Sequence, residues 1–159
     1  MKRSDNLFAE GMLRALDPEG TRDDCLRAER ELWTDRGLCP RYTIIRDGSG
    51  LSRSNRLPAR FISDILEFMA RGDNADRWVD FFPIAGVDGT LKSFGKKTRL
   101  NGRMALKTGS VAAVQAYAGY RLDWEGRPTH TVVVLVNGFF CPRAEVRAAI
   151  EKMLLNTFN

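Results

Sequence analysis

The last third of the sequence contains three β-rich segments in a row, and this run constrains the fold more than any other feature. The segments span residues 104–109, 114–122 and 129–136, and Asp123-Trp124-Glu125-Gly126-Arg127-Pro128 joins the second to the third. A short polar connection with Gly and Pro between two such segments is typical of an antiparallel hairpin. The sequence therefore predicts an antiparallel sheet of about three strands.

Stretches with helical periodicity lie on both sides of this strand region. Their apolar residues recur at helical spacing, and residues that favour helix starts or stops flank them. The predicted helices run from Ser4 or Asp5 to Leu16, from Thr21 or Asp23 to Gly37, from Pro58 to Gly72, and from Pro142 onward. An order of helices, then strands, then a helix indicates an α+β fold in which helices pack on the sheet.

The segments between these elements give weaker signals. Tyr42–Ile45 is short and β-rich, Asp47–Gly50 is typical of a tight turn, and Trp78–Gly95 has no clear period. Three strands make a thin sheet whose edges need protection. We therefore expect residues 1–159 to form a single but incomplete α+β domain.

The composition is that of a folded, soluble chain. Hydrophobic residues make up 43% and charged residues 28% of the 159 residues, which disfavours disorder. The longest wholly apolar run, Val132–Val136, is too short to span a bilayer, and the chain begins without an apolar export signal. Its three cysteines lack C-x-x-C spacing, so we predict neither a disulfide framework nor a metal site.

Positive charge is concentrated in one segment. The net charge is +5, and six cations occur in sixteen residues without an Asp or Glu: Lys92, Lys96, Lys97, Arg99, Arg103 and Lys107. This run is either a solvated loop or a patch for an anionic partner such as a nucleic acid. A nucleic-acid patch usually interleaves aromatic side chains, and only Phe94 is available, so a nucleic-acid partner is not favoured.

Two tripeptides carry the chemistry. Ser4-Asp5-Asn6 stands at the start of the first predicted helix, and Lys107-Thr108-Gly109 stands at the end of the first predicted strand. Ser-Asp-Asn and Lys-Thr-Gly, together with Ser-x-x-Lys, form the signature set of penicillin-binding proteins and class A β-lactamases. The segments Asp47–Arg53 and Asp88–Leu91 lie between them and strengthen the match.

On these four segments the sequence resembles the class C low-molecular-mass penicillin-binding proteins, a family of D-alanyl-D-alanine carboxypeptidases and endopeptidases. The resemblance covers nearly the whole chain and implies the C-terminal part of a β-lactamase/transpeptidase-like fold. It also implies a periplasmic or cell-envelope serine peptidase that acts on peptidoglycan stem peptides through an acyl-enzyme and is acylated by β-lactams. It calls for no cofactor and no metal.

The resemblance also assigns roles to individual residues. Ser4, Asn6 and Lys107 match catalytic positions, and their chemistry fits proton relay, orientation of the substrate amide, and positive charge beside the hydroxyl. The substrate-binding positions are Thr108, Gly109, Ser110, Leu51 and Arg53. The Thr and Ser hydroxyls suit a terminal D-Ala carboxylate, the Ser110 amide suits an oxyanion, and Leu51 and Arg53 would border the pocket.

The sequence departs from the family pattern at the nucleophile. In the family the Ser-x-x-Lys element precedes Ser-x-Asn. In this sequence Ser93-Phe94-Gly95-Lys96 has the right spacing, but it follows Ser4-Asp5-Asn6 and its composition is typical of a turn. We therefore expect the nucleophile to lie outside this chain. His130, the only histidine, does not by itself indicate a Ser/His/Asp triad. An upstream segment or a second copy of the chain is expected to complete the sheet.

Two other functions stay open at this point. Without Ser-x-x-Lys, the chain could be a catalytically inactive module that binds peptidoglycan stem peptides. The basic segment leaves a nucleic-acid-binding domain as a less favoured alternative, which strongly salt-dependent oligonucleotide binding would support.

Overall fold

Helices and strands follow one another in the predicted order in the computed structural model, which describes residues 1–158 apart from the side chain at position 76. The elements are α1 (Asn6–Arg14), α2 (Arg22–Asp35), α3 (Ala59–Ala70), α4 (Ala75–Asp80), β1 (Met104–Val111), β2 (Val114–Leu122), β3 (Pro128–Asn137) and α5 (Arg143–Thr157). Two compact units share them: one contains residues 5–65, and the other contains Met1–Ser4 and the chain from Leu66 onward. No helix in the described part of the chain is long and apolar enough to cross a membrane.

The predicted antiparallel sheet of about three strands is confirmed. Its strands are antiparallel and lie in the order β1-β2-β3. The register pairs Lys107 with Ala118 and Thr108 with Tyr117. Side chains alternate between the two faces of a strand, so Leu106, Thr108 and Tyr117 share one face, whereas Lys107 and Tyr120 share the other.

Helix α5 covers the face of the sheet that carries Leu106 and Tyr117. Its buried residues Val146, Ile150 and Leu154 recur every four residues and form one apolar stripe. The stripe belongs to a core cluster that includes residues of all three strands and of the segment before β1. This packing fixes one face of β1.

The opposite face packs against α4 and the end of α3. Tyr120 is fully buried there, and its hydroxyl donates to Leu66 O and accepts from Trp78 Nε1, both at 2.7 Å. Phe82 meets the Tyr120 ring edge to face, with centroids 5.5 Å apart. The sequence analysis did not predict α4, whose six residues run into the segment without a clear period.

The outer edge of β1 is paired along its first half only. Ala85 N donates to Met104 O at 2.9 Å, and Leu106 N donates to Pro83 O at 3.1 Å. From position 107 to 110, the described residues form no backbone hydrogen bond on this edge. Since Leu106 N–H points outward, the alternation of a strand also points Thr108 N–H and Ser110 N–H outward.

The unit of residues 5–65 is held by side-chain caps. Asp5 caps α1 by accepting from Phe8 N at 3.0 Å, and Thr21 and Asp24 form a capping box at the start of α2. The carboxylate of Asp47 accepts from Gly50 N at 2.8 Å and shapes the predicted turn. The β-rich segment at 42–45 contributes one isolated bridge, from Ile44 to Arg56, and no strand.

Candidate functional site

Ser4 and Lys107 meet in one unit, although 103 positions separate them. The Lys107 ammonium donates to Ser4 Oγ at 2.7 Å. Lys107 projects from β1 on the Tyr120 face of the sheet, and Ser4 ends a turn in which its N–H donates to Met1 O at 3.1 Å. The contact joins the two tripeptides that the sequence analysis singled out.

Ser4 has a left-handed backbone, with a φ of +54°. For a residue other than glycine this conformation costs about 1–2 kcal/mol, and such strain clusters at functional sites. The sequence allowed Ser4 or Asp5 as the cap of α1, and the structure gives that role to Asp5. The Ser4 hydroxyl is therefore not used for capping and lies at the Lys107 ammonium.

Burial lowers the pKa of Lys107, because a half-buried ammonium loses hydration. A second hydrogen bond runs from its Nζ to Thr108 O. No ion pair joins Lys107 to a carboxylate within the described residues. This half-buried cation next to a hydroxyl is suited to stabilise negative charge on a ligand and to pass a proton.

Thr108, Gly109 and Ser110 continue β1 along its unpaired outer edge. Thr108 Oγ1 lies 2.9 Å from Thr90 Oγ1, so two hydroxyls stand side by side at this edge. A Cβ added to the exposed Gly109 would meet Ala116 Cβ at 3.5 Å, which is an ordinary contact. Packing within the described residues therefore does not require glycine at position 109.

The other predicted site residues belong to the unit of residues 5–65. Asn6 is the exposed first residue of α1. Leu51 and Arg53 lie in the loop after the Asp47 turn, where the Leu51 side chain is 56% exposed.

Ser93 and His130 do not form catalytic arrangements among the described residues. Ser93 and Lys96 lie in turns, and Ser93 Oγ accepts from Arg147 Nη2 at 2.8 Å. His130 is exposed on β3, with Nδ1 3.0 Å from Thr129 Oγ1. No group of three or more His, Cys, Asp or Glu side chains in the described part of the chain could hold a metal ion.

The sequence analysis missed Lys2, Thr90 and the role of Asp88. Asp88-Gly89-Thr90-Leu91 was part of the family resemblance, but no function followed from it. In the structure Lys2 Nζ lies 2.5 Å from Asp88 Oδ2, next to the turn that ends at Ser4. The only signal in the sequence was the position of this segment ahead of Lys-Thr-Gly.

Comparison with known proteins defines the class. The chain belongs to the D-Ala-D-Ala carboxypeptidase 3 (S13) family, which it matches over residues 1–157. The resemblance to low-molecular-mass penicillin-binding proteins is thereby confirmed.

Two relatives of this chain are D-alanyl-D-alanine carboxypeptidases. The chain is 31% identical over 147 residues to the D-alanyl-D-alanine carboxypeptidase DacB of Haemophilus influenzae, covering 87% of this chain and 30% of that protein. It is 32% identical over 142 residues to a D-alanyl-D-alanine carboxypeptidase of an Actinomadura species, covering 84% of this chain and 26% of that protein. The chain thus spans about a third or less of the length of these relatives.

Solved structures confirm the α+β fold. The crystal structure of penicillin binding protein 4 from Haemophilus influenzae, complexed with a β-lactam, matches all of this chain and 39% of its own, with a TM-score of 0.86 and 29% identity. A predatory endopeptidase from Bdellovibrio bacteriovorus, solved with an immunity protein, has a TM-score of 0.70 over 97% of this chain and 39% of its own. At 20% identity, that second likeness concerns the fold alone.

Proposed function

We propose that this chain is the C-terminal part of the catalytic domain of a serine-type D-Ala-D-Ala carboxypeptidase or endopeptidase. The substrate would be a peptidoglycan stem peptide, the intermediate an acyl-enzyme, and the nucleophile a serine outside this chain. The observation that carries the proposal is the Lys107 to Ser4 hydrogen bond at the start of the unpaired β1 edge. Family membership supports a location in the cell envelope and does not favour a nucleic-acid-binding role.

The β1 edge supplies the donors that acyl transfer needs. Thr108 N–H and Ser110 N–H point outward, where an extended peptide can add as a further strand. In this proposal Ser110 N–H donates to the oxyanion of the tetrahedral intermediate. The Thr108 and Ser110 hydroxyls bind the terminal carboxylate, and hydrogen bonds to a charged group contribute about 1.5–3 kcal/mol each.

Lys107 and Ser4 form a proton relay to the leaving group. Ser4 Oγ accepts from Lys107 Nζ, so the hydroxyl's own hydrogen can be donated elsewhere. When the C–N bond of the tetrahedral intermediate breaks, the leaving amine takes the Ser4 proton, and Lys107 returns a proton to Ser4. The lowered pKa of Lys107 makes that return easier.

Asn6, Leu51 and Arg53 complete the proposal by family resemblance. The Asn6 carboxamide would orient the substrate amide, because it offers both donors and an acceptor. Leu51 and Arg53 would border the pocket for the rest of the stem peptide. Stem peptides and β-lactams are therefore the proposed ligands.

Peptide binding to the 159-residue chain tests the proposal. With 15N-labelled protein and a diacetyl-L-lysyl-D-Ala-D-Ala peptide, we expect amide shift changes at Thr108, Gly109 and Ser110. The expected Kd is about 1 mM, a binding free energy of about 4 kcal/mol, because this chain carries only part of the proposed site. Thr108→Val should weaken binding about tenfold, which is the loss of about 1.4 kcal/mol. Thr129→Val, which changes an exposed β3 residue, is the matched control.

Any of three results would overturn the proposal. The first is unchanged amide shifts at positions 108–110, and the second is equal binding of the same peptide with its carboxylate amidated. The third is a stable penicillin adduct on Ser4 or Ser93 in intact-mass measurements, since the nucleophile is assigned to a segment outside this chain.

A further inference from the structure

Asp88 is held at a defined place beside β1. Its Oδ1 accepts from Ile84 N at 2.8 Å, and its own N–H donates to Ile84 O at 3.2 Å. Ile84 forms an antiparallel bridge with Ala105, which lies two positions before Lys107. The Asp88 carboxylate is therefore tied to the strand that carries Lys107.

Lys2 connects this carboxylate to the turn that presents Ser4. Lys2 Nζ donates to Asp88 Oδ2 at 2.5 Å, and the Met1–Ser4 turn closes through Ser4 N and Met1 O. The backbone approaches closely at the same point: a Cβ on Gly89, which has a φ of +53°, would lie 2.7 Å from Lys2 O. At Lys2 the turn is thus held by the ion pair with Asp88 and by the close approach of its backbone to Gly89.

The ion pair is poorly placed for stability. The Lys2 and Asp88 side chains are 43% and 35% exposed, and pairs at such exposure contribute little to folding. Burial opposes a low pKa for Asp88, but the hydrogen bonds from Lys2 and the Ile84 amide hold this pKa below its usual value. The carboxylate is charged at neutral pH, so the pair persists there.

The contacts form a closed ring. It runs from Lys107 to Ser4, through the turn to Lys2, to Asp88, and back to β1 through Ile84. Ser4 occupies a left-handed conformation that persists only where its surroundings hold it. A hydroxyl displaced by about 1 Å would lose most of a hydrogen bond of this length.

We propose that the Lys2–Asp88 ion pair positions the Ser4 hydroxyl against Lys107, which makes Lys2 and Asp88 positioning residues of the site. The catalytic consequence of this positioning rests on the proposed function. The geometry that it describes exists in the chain without substrate and can be tested there.

The test uses the 159-residue chain and removes one charge at a time. Lys2→Met is the main variant, because the Lys2 side chain is 43% exposed and exposed ion pairs contribute little to folding, so we expect the variant to fold. Asp88→Asn removes the other charge, Lys2→Arg keeps the pair, and Lys92→Met changes an exposed lysine of the same unit as a matched control. The readouts are the NOE between the Lys107 ε-methylene and the Ser4 β-protons, the pKa of Lys107 from its 13C shift, and the melting temperature.

Lys2→Met and Asp88→Asn should abolish the NOE and raise the pKa of Lys107, since a displaced turn lets water reach the ammonium. Lys2→Arg and Lys92→Met should keep both signals, and Lys2→Met should leave the melting temperature within about 2 °C, because exposed pairs contribute little to stability. A retained NOE and an unchanged Lys107 pKa in folded Lys2→Met would overturn the inference. So would equal loss in Lys2→Arg, because charge would then not position Ser4.

Failure of the proposed function gives a different pattern. Peptide binding at positions 108–110 can be absent while the Lys2 variants still change the Ser4 to Lys107 contact. The positioning inference then stands as a statement about structure, and the assigned substrate is wrong. If the peptide binds while Lys2→Met leaves the contact intact, the substrate is supported and the positioning role is refuted.

Discussion

Tyr120→Phe removes one oxygen atom from the interior of the unit that carries Lys107. That oxygen accepts from Trp78 Nε1 and donates to Leu66 O, both at 2.7 Å, and the Tyr120 side chain is fully buried. Without it, an indole N–H and a carbonyl face an apolar ring. Leaving a buried group unpaired costs about 1–3 kcal/mol.

We therefore expect Tyr120→Phe to lower the free energy of unfolding by about 2 kcal/mol, most of it from the unpaired Trp78 N–H. For a chain of this size that loss lowers the melting temperature by about 4–8 °C. Urea unfolding followed by tryptophan fluorescence measures it, and the midpoint should fall while the m-value stays constant.

The same hydroxyl makes the stability of the protein depend on pH. Burial raises the pKa of Tyr120 to about 12, although the hydrogen bond from Trp78 acts in the opposite direction. The folded state therefore holds this proton at a pH where the unfolded state, with a pKa of about 10, has released it. Stability should fall as the pH rises from about 10 to 12, and this part of the slope should be absent in Tyr120→Phe.

Tyr117→Phe is the matched control for this prediction. Tyr117 is a buried tyrosine of the same strand on the opposite face, and its hydroxyl forms no hydrogen bond within the described residues. Removal of the Tyr117 hydroxyl should lower the free energy of unfolding by less than about 0.5 kcal/mol, because no donor or acceptor is left unpaired. Equal costs for the two substitutions would refute the reasoning, because the two hydrogen bonds of the Tyr120 hydroxyl would then add nothing to stability.

Two further substitutions test other parts of the same unit. Gly119→Ala should prevent stable folding, because Gly119 has a φ of +156° and the new Cβ would lie 2.0 Å from a β1 carbonyl. Gly109→Ala is the control and should leave the melting temperature unchanged. Stable folding of Gly119→Ala would contradict the strand register. Trp124→Ala should cost about 1 kcal/mol in thermal unfolding, because the indole lies 3.9 Å over the Arg103 guanidinium and shields it, and Trp124→Phe should recover part of the loss.

Periodicity predicted the long elements because their apolar residues recur at helical or strand spacing, even in α1, where Leu7, Phe8 and Met12 are exposed. Helices α1, α2, α3 and α5 and all three strands lie where expected, with small shifts at their ends. Helix α4 has six residues, too few for a periodic signal. Tyr42–Ile45 did not form a strand because only Arg56 pairs with it, and a strand needs a partner along its length.

The candidate site was predictable where it follows a tripeptide. Ser4 and Lys107 came from their tripeptides, and the structure shows their contact. Lys2 and Asp88 are 86 positions apart, and no local spacing links them. A contact of this kind depends on how the turn before α1 lies against the segment before β1, and sequence patterns within one element do not contain that information.

The unpaired edge of β1 makes ligand binding and self-association competing events. Outward N–H groups that can receive an extended peptide can receive a strand from another copy of this chain equally well. The edge cannot be blocked by proline or covered by a loop without closing the proposed site. If this edge pairs between copies of the chain, a strand-like ligand would reduce self-association in proportion to its occupancy of the edge.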